Sequence, residues 1–306
     1  MGRSFRSAEK QAAAAVSKVT AFGQSRHENK GAGRIHSVGT ARSYEQSLRG
    51  FQQWRMENGF TNNLSQATQE QARAYLAERS QTVSQSTLDR DRQAISRTLG
   101  NVSKLDRVDF RSTATGGRDL AHQSRAYTPE QVQAIGARQS DRNALATQVA
   151  AAGGLRAHEI LTLRPADERG PSTHREWSQE RGQGREGVSY TVAGKGGLVR
   201  EVTLPQALAE RLEAARLATP QITVDRVTHY EQHYNIGGGQ SWSQSFSAAS
   251  KAELGWSTGA HGLRHSFAQD RLVEHQSRGL SYDAAREAVA QEVGHFDADT
   301  TNAYLR

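Results

Sequence analysis

The sequence predicts a mainly helical protein with a small antiparallel β-hairpin, divided into two domains. Its 306 residues are more than one average domain holds. Apolar residues recur every three or four positions through residues 40–100 and again after residue 127, which is typical of amphipathic helices. At residues 189–205 they alternate instead, which indicates paired strands. The predicted order is a basic tail at 1–35, a helical domain at 36–110, a linker at 111–126 and a mixed α+β domain at 127–306.

Composition narrows the class of function. Apolar residues make up 35% of the chain, and no apolar run reaches the roughly 20 residues that span a bilayer, so we expect no membrane insertion. Cysteine is absent, which excludes disulfides, thiolate metal sites and cysteine nucleophiles. The formal net charge of +7 favours a polyanionic partner, nucleic acid above all. A reducing bacterial cytoplasm is the expected compartment.

Residues 1–35 are predicted to form a basic tail, in which seven basic residues face two acidic ones for a net charge of +5. Residues 8–19 have the composition of a short helix, and residues 31–33 are typical of a flexible joint. The tail is either an arm that neutralises DNA phosphates in a salt-dependent way or a solvated, disordered segment. Its basic residues are Arg3, Arg6, Lys10, Lys18, Arg26, Lys30 and Arg34.

Three helices are predicted in the first domain. Thr40 is placed to cap the first helix, and Gly59 to end it. Residues 68–71 fit a capping box for the second, and Gly100 ends the third. The predicted buried faces carry Tyr44, Leu48, Phe51, Trp54, Ala72, Tyr75, Leu76, Leu88, Ile95 and Leu99.

Three arginines lie on the polar sides of the third predicted helix, Arg90, Arg92 and Arg97. Phosphate contacts need only a basic surface, so these side chains are candidates to follow a DNA backbone. An ordinary solvated helix face explains them equally well.

The second domain begins with a helix at residues 128–131, where Thr-Pro-Glu-Gln combines a cap, a first-turn proline and a capping-box glutamine. A further helix starts near residue 141 and is ended by Gly153 and Gly154, which permit a sharp turn. The turn places Arg156 near the start of a short helix. On its own, an arginine there would be an ordinary surface residue.

Residues 189–205 are predicted to form a β-hairpin with Lys195 in its Gly-rich tip. A lysine whose pKa is lowered can release a proton, as a general acid must, and a flexible tip would let it reach into a groove. An ordinary hairpin lysine is the alternative. After a helix at 207–217, we predict a loop through residues 237–239, whose glycines lack the neighbours of a phosphate-binding loop.

Two histidines and an arginine occur within residues 261–265, His-Gly-Leu-Arg-His. The apolar residues around them put His261 and Arg264 one turn apart near a helix start. His261 and His265 have the spacing of a zinc-binding pair, but the glutamate that would act as base in such a helix is missing. We therefore predict no metal and no cofactor.

The order of these stretches resembles that of the tyrosine recombinase, or phage-integrase, family. Arg156 has Glu159 three residues later, Lys195 lies in a hairpin turn, and His-x-x-Arg-His follows. A Gly-His pair then precedes Tyr304 by nine residues, counted from His295. Every catalytic position expected for the family is filled, and the resemblance covers the chain from about residue 40 to its end.

The resemblance implies a two-domain DNA clamp, with a helical, SAM-like core-binding domain and a mixed catalytic domain. It also implies double-stranded DNA sites as the substrate and a tetramer on DNA. The sequence stops at Arg306, two residues after Tyr304, whereas members of the family commonly continue into a segment that docks on a neighbouring subunit. Either the given chain is truncated, or subunits contact one another by other means, with the basic tail as one candidate, and without DNA we expect a monomer rather than a tetramer.

The family chemistry gives the central residues their implied roles. Tyr304 attacks phosphorus and forms a 3′-phosphotyrosine while a 5′-hydroxyl leaves. Arg156 and Arg264 hold the non-bridging oxygens and stabilise the transition state. A second 5′-hydroxyl can reverse the step, so the family needs neither ATP nor metal.

The remaining roles come from the same resemblance. Lys195 protonates the leaving oxygen, His261 takes part in proton transfer, and His295 hydrogen-bonds the phosphate. Glu159 and His265 support the catalytic residues without contacting the phosphate themselves.

A site-specific recombinase, such as the integrase of a mobile element, is the leading hypothesis, and two others stay open. A type IB topoisomerase has a similar catalytic set, although the compact helical first domain favours a recombinase. A non-catalytic DNA-binding regulator on the same fold would have no need for Tyr304. Because Tyr304 is close to the end of the sequence, we expect it to be mobile when DNA is absent.

Overall fold

The computed structural model describes residues 7–24, 27, 33–114 and 124–305. The backbone divides into two compact units, Met1–Asp119 and Leu120–Arg306. The division falls inside the predicted linker at 111–126, of which residues 115–123 lie outside the described residues. Most of the predicted joint at 31–33 lies outside them as well.

The first unit is built from helices that share one hydrophobic core. Nine of the ten residues predicted for the buried faces are at most 4% exposed. The tenth, Trp54, packs at the edge of this core and donates its indole N–H to Glu78 at 2.7 Å. Short 3₁₀ turns occur at Leu64–Gln66 and Arg107–Asp109. The α-helices are α1 (Ala8–Ser17), α2 (Val38–Glu57), α3 (Gln69–Arg79) and α4 (Gln85–Thr98).

Part of the predicted tail belongs to this folded unit. Helix α1 buries Ala12 and Val16 in the core, and its Gln11 side chain accepts the Leu64 N–H at 2.7 Å. Ile35, at the other end of the predicted tail, is 2% exposed in the same core. Residues 8–17 are therefore a structural part of the first unit rather than a solvated arm.

The start of α2 corrects one predicted cap. The hydroxyl of Ser37 accepts the Thr40 N–H at 3.4 Å, so Ser37 is the cap and Thr40 lies inside the first turn. The prediction of Thr40 was wrong because two hydroxyl residues three positions apart both match a cap pattern. Gly59 follows the end of α2 with a φ of 77°, as predicted, and the capping box at 68–71 is present.

The second unit combines helices with two small antiparallel sheets. The predicted capping box at residues 128–131 is present at the start of its first helix. Its helices are α5 (Pro129–Ala137), α6 (Asp141–Gly153), α7 (Ala157–Ile160), α8 (Gln206–Ala214), α9 (Gly239–Leu254), α10 (Gly262–Ser277), α11 (Tyr282–Glu292) and α12 (Ala298–Thr301). Its strands are β1 (Arg164–Pro165), β2 (Val188–Ala193), β3 (Val199–Leu204), β4 (Arg216–Asp225) and β5 (Thr228–Tyr234).

The predicted hairpin is confirmed, and one short strand extends it. Strand β2 lies between β1 and β3, and Val192 pairs with Arg200 in the β2–β3 register. Alternate residues of β3, namely Arg200, Val202 and Leu204, are buried. This sheet places the turn at residues 194–198 beside the α6–α7 connection.

A second hairpin, β4–β5, was not predicted. The helix expected at 207–217 ends at Ala214, and β4 begins two residues later. Strands β4 and β5 pair only with each other among the described strands, and β4 is exposed along most of its length. Because β4 is exposed along most of its length, only Ile222 and Val224 alternate in it, which is too short a pattern to predict a strand.

Helix α10 ties the second unit together. It packs against α6 and α11, and it buries Leu263, Phe267 and Ala268. Phe267 and Ala268 form a small cluster with Val289 and Val293 at the end of α11. The start of α10, the turn after α6 and the segment after α11 therefore meet in one place.

Candidate active site

The turn after α6 presents Arg156. Gly154 has a φ of 58°, and a Cβ there would come within 2.5 Å of the Phe267 ring, so both backbone and space require glycine. The reversal makes Arg156 the cap of α7. Its backbone N–H donates to Glu159 Oε2 at 2.9 Å, and its Nη1 donates to Oε1 at 2.6 Å.

Glu159 is fully buried and is shared by three guanidinium groups. Besides Arg156, Arg200 donates its Nη2 to Oε2 at 2.9 Å, and Arg264 Nη1 lies 3.6 Å from the same oxygen. Burial raises the pKa of Glu159, but Arg200, Arg156 and Arg264 outweigh it and hold the pKa well below its usual range. The carboxylate therefore stays ionised and offsets positive charge that would be costly to bury unpaired.

Arg264, in the first turn of α10, is completely buried. Its Nη1 donates to the Gly154 carbonyl at 2.6 Å, and its Nη2 donates to the Val293 carbonyl. Burial, followed by the charge of Arg156, lowers the pKa of Arg264 to about 9, so the side chain remains a cation at neutral pH. Arg264 thus joins the turn after α6 to the end of α11.

His295 follows α11 and meets Arg156. Its backbone N–H donates to the Ala290 carbonyl at 2.7 Å, which fixes the chain as it leaves the helix. Its Nε2 lies 2.8 Å from Nη2 of Arg156. Burial, followed by the charges of Arg264 and Arg156, lowers the pKa of His295 to about 4. The ring is therefore neutral at neutral pH.

Tyr304 lies at the centre of these groups. Its side chain is 6% exposed and packs on Phe267, Val289 and Val293, and its backbone carbonyl accepts the Gln269 Nε2–H at 3.0 Å. The Arg264 guanidinium lies 5.5 Å from the centre of the Tyr304 ring, within cation–π range. This inward, anchored position contradicts the expectation of a mobile Tyr304, because tertiary contacts replace the anchoring that a longer chain end would give.

The two histidines of α10 border the same tyrosine. The ring centres of His261 and His265 lie 5.5 and 5.0 Å from that of Tyr304. Burial, followed by Arg264 and His265, lowers the pKa of His261 to about 4. The neutral imidazole of His261 therefore borders the phenol from the start of α10, where the predicted helix placed it.

Lys195 is exposed in the β2–β3 turn. Its neighbour Gly194 lies against the buried pair, since a Cβ there would be 3.4 Å from Glu159 Oε1 and 4.0 Å from Arg156 Nη1. The tip that carries Lys195 thus borders the site, although its side chain is exposed. The predicted residues that the fold brings together around this tip are Arg156, Glu159, His261, Arg264, His265, His295 and Tyr304.

The three candidate DNA-binding arginines belong to the first unit and differ from one another. Arg90 lies 3.8 Å from the buried Asp91. Arg92 donates to the Leu105 carbonyl at 2.5 Å and is largely covered. Arg97 is exposed. Of the three, Arg97 is therefore the side chain best placed for an external contact.

Two absences concern only the residues that the structure describes. Within those ranges, no three histidine, aspartate or glutamate side chains are grouped as a metal ion would require. Among the same residues, no helix combines the length and apolar character needed to cross a bilayer.

Comparison with known proteins agrees with this architecture. Residues 32–98 match the phage integrase N-terminal SAM-like domain. A solved structure of the XerH site-specific recombinase bound to palindromic difH substrate is similar over 97% of this chain and 90% of that chain, with 16% identity and a TM-score of 0.55. In its fold and its N-terminal domain, the chain is similar to tyrosine recombinases. No curated protein sequence matches it.

Two further solved structures have the same architecture. A lambda integrase dimer bound to a COC′ core site is similar over 92% of this chain and 93% of that chain, with 16% identity and a TM-score of 0.51. The Tn1549 transposon integrase in complex with circular intermediate DNA is similar over 96% and 94%, with 13% identity and a TM-score of 0.51. At these identities the similarity is one of fold.

Two features of the candidate site were missed from the sequence. One is Arg200, a 1% exposed arginine that contacts Glu159. The other is a buried cluster in which Glu292 accepts hydrogen bonds from Arg271 at 2.7 Å and lies 3.0 Å from His275 Nε2. Arg200 could have been suspected, because it alternates with Val202 and Leu204 on the buried face of β3.

Proposed function

We propose that this protein is a site-specific recombinase that cuts and rejoins DNA through a phosphotyrosine. The observation that carries the proposal is the position of Tyr304. Its buried ring lies over the Arg264 guanidinium and is bordered by the rings of His261, His265 and His295. A phenol surrounded by cations and neutral imidazoles is suited to nucleophilic attack on a phosphodiester.

The chemistry follows from these groups. Tyr304 Oη attacks phosphorus, so that the P–Oη bond forms and the bond to the 5′ oxygen breaks. His261, which is neutral because its pKa is lowered to about 4, accepts the phenolic proton. Arg156 and Arg264 stabilise the additional negative charge of the pentacoordinate phosphorus.

Lys195 supplies the proton for the leaving oxygen. The β2–β3 turn that carries it lies beside Arg156 and Glu159, and an exposed lysine there can enter a DNA-filled site. Loss of the 5′ oxygen as a hydroxyl leaves a 3′-phosphotyrosine. The 5′-hydroxyl of a second strand then attacks phosphorus and gives its proton to Lys195, while the P–Oη bond breaks and His261 returns its proton to Tyr304, so the cycle consumes no ATP.

The Tyr304 ring and a phosphate compete for the space over Arg264. Both Nη groups of Arg264 already donate to backbone carbonyls, and the Tyr304 ring centre lies 5.5 Å from its guanidinium. DNA binding therefore shifts the Tyr304 ring and admits the phosphate. This movement of the ring explains how a nucleophile that is buried without DNA can react once DNA is bound.

The partner in this proposal is double-stranded DNA carrying two recombination sites, bound by several copies of the chain. The structurally similar XerH and lambda integrase were both solved on DNA, the latter as a dimer. We extend DNA binding and assembly to this chain because it has their fold and a formal net charge of +7. Integration or excision of a mobile element is the expected outcome.

A nicked suicide substrate tests the proposal. The probe is a library of duplex oligonucleotides with randomised sequence around a nick, incubated with protein in EDTA and resolved on a denaturing gel. We expect a covalent protein–DNA adduct with the wild type and none with Tyr304→Phe. An adduct that persists in Tyr304→Phe, or no adduct with wild type, would contradict the mechanism.

Sequencing the trapped DNA then separates the candidate functions. A recombinase enriches a specific site and exchanges strands between two copies of it. A type IB topoisomerase instead relaxes supercoiled plasmid without site preference, and a regulator binds without forming an adduct.

A further inference from the structure

Arg200 lies beneath the site and has an unusual set of acceptors. It is 1% exposed although it carries a full positive charge. Its Nη2 donates to the Glu159 carboxylate at 2.9 Å, and its Nη1 donates to the Glu292 carbonyl at 2.6 Å. The carbonyls of Gly153 and Gly154 lie 3.3 to 3.4 Å from the same nitrogens.

These acceptors belong to the two segments that carry the reacting groups. Gly153 and Gly154 form the turn that immediately precedes Arg156. Glu292 is the last residue of α11, three positions before His295. Between them, Gly294 has a φ of 71°, and a Cβ there would be 3.2 Å from Arg200 Cδ. Arg200 therefore fixes the distance between the Arg156 turn and the His295 segment from a position that a substrate does not reach.

The carboxylate of Glu159 gives Arg200 a second effect. Glu159 is faced by Arg156 and His158 from its own segment, by Arg200 from β3 and by Arg264 from α10. Arg264 is 3.6 Å away and bonds mainly to backbone carbonyls, so Arg200 and Arg156 are the close partners. Without Arg200, the Glu159 carboxylate would pair more strongly with Arg156 and Arg264. Both arginines would then be less available to bind a phosphate.

We infer that Arg200 is a positioning residue for strand cleavage, which orients Glu159 and holds the Arg156 and His295 segments together. The inference rests on the proposed function, since it concerns the rate of the cleavage step. Lysine at this position would keep the charge but has no planar fork to bond several acceptors at once. A misplacement of about 1 Å in such a site can cost on the order of 100-fold in rate.

The test compares Arg200→Lys with wild type on the trapped suicide substrate. We expect the rate of adduct formation at saturating DNA to fall about 100-fold, with DNA affinity changed less than threefold. Because Arg200 helps to hold down the pKa of Glu159, the acidic limb of the pH–rate profile should also move to higher pH.

Arg271→Lys is the matched control. Arg271 is equally buried and bonds the Glu292 carboxylate, but it has no contact with Glu159. If Arg271→Lys slows adduct formation, the acidic limb of its pH–rate profile should still lie at the same pH as in wild type. Similar losses in both variants with no shift in the limb would overturn the inference and make Arg200 an ordinary core residue.

The folding of the variants and the activity of the wild type are measured in separate experiments. Far-ultraviolet circular dichroism of Arg200→Lys and Arg200→Gln checks the fold, and loss of fold in both variants would also overturn the inference. A wild-type rate in a folded Arg200→Lys variant would do the same. If wild type forms no adduct, the proposed function fails, and that failure is distinguishable because it precedes any comparison of variants.

Discussion

Nη2 of Arg156 lies 2.8 Å from Nε2 of His295. A guanidinium can only donate, so Nε2 of His295 accepts this hydrogen bond and the ring is neutral with its proton on Nδ1. The lowered pKa of His295, caused by burial and by Arg264 and Arg156, has the same consequence. Arg156, the proposed phosphate ligand, and His295 therefore form one hydrogen-bonded unit before any substrate arrives.

The lowered pKa values of two histidines predict how the free energy of unfolding depends on pH. His261 and His295 have pKa values lowered to about 4, below the ordinary value of about 6.5, so between these pH values the unfolded chain binds more protons. Their contribution makes the free energy of unfolding fall as the pH drops from about 6.5 to about 4. Urea denaturation at several pH values measures this slope. His295→Asn should reduce it, and an unchanged slope would contradict a neutral His295.

The buried carboxylates act in a lower pH window. Glu292 has its pKa lowered to about 2, because Arg271 and His275 outweigh the opposing effect of burial, and Glu159 is lowered well below its usual range. The stability that these two carboxylates contribute is present above about pH 4.5 and is lost as the pH falls further. Denaturation near pH 3 should therefore show a steeper loss than the histidines alone produce.

Glu159→Gln should destabilise the second unit. The change leaves three buried or largely buried guanidiniums with no anionic partner, which costs about 3–5 kcal/mol when one partner of a buried ion pair is removed. Glu201→Gln is the matched control, because its pair with Arg181 spans 3.5 Å and is partly exposed. We expect under about 1 kcal/mol from the control. Equal losses in urea denaturation would show that Glu159 is not the centre of the network.

Lys195→Ala should slow cleavage of an ordinary phosphodiester by roughly 10²–10⁴-fold, the usual contribution of a general acid. A substrate with sulfur in place of the bridging 5′ oxygen should restore the rate, because a thiolate leaves without a proton. Single-turnover adduct formation on the two substrates measures the effect. The same loss on both would assign Lys195 to binding rather than proton transfer.

Arg97→Gln should weaken DNA binding uniformly across sequences. Arg97 is exposed on α4, and loss of one phosphate contact reduces the log–log salt slope by about 1. Arg92→Gln is the control, since Arg92 is committed to the Leu105 carbonyl and should affect stability instead. Fluorescence anisotropy from low to high salt measures both. An unchanged slope in Arg97→Gln would exclude this arginine from the DNA contact.

The candidate catalytic residues could be predicted because their types and order are specific. The helix starts at Arg156 and Arg264 could be predicted from local glycines and from the spacing of apolar residues. Arg200 was missed because a lone arginine between Val199 and Glu201 suggests an exposed strand position. Its alternation with Val202 and Leu204 was the one local signal, and the strand pairing confirms that it lies on the buried face.

Other misses also depend on contacts distant in sequence. Burial of Tyr304 comes from Phe267 and Val289, on two other helices, which no pattern near residue 304 reveals. The docking of α1 depends on the core of the first unit, in which Ala12 and Val16 are buried. In both cases local signals suggested loose chain, and tertiary packing decided otherwise.

We propose that Tyr304 is the nucleophile, and mass spectrometry of the trapped adduct tests this assignment. The adduct from the nicked library is digested with nuclease and trypsin, and the peptide that retains a nucleotide remnant is sequenced. We expect the remnant on Tyr304. A remnant on any other residue, such as the exposed Tyr282, would contradict it.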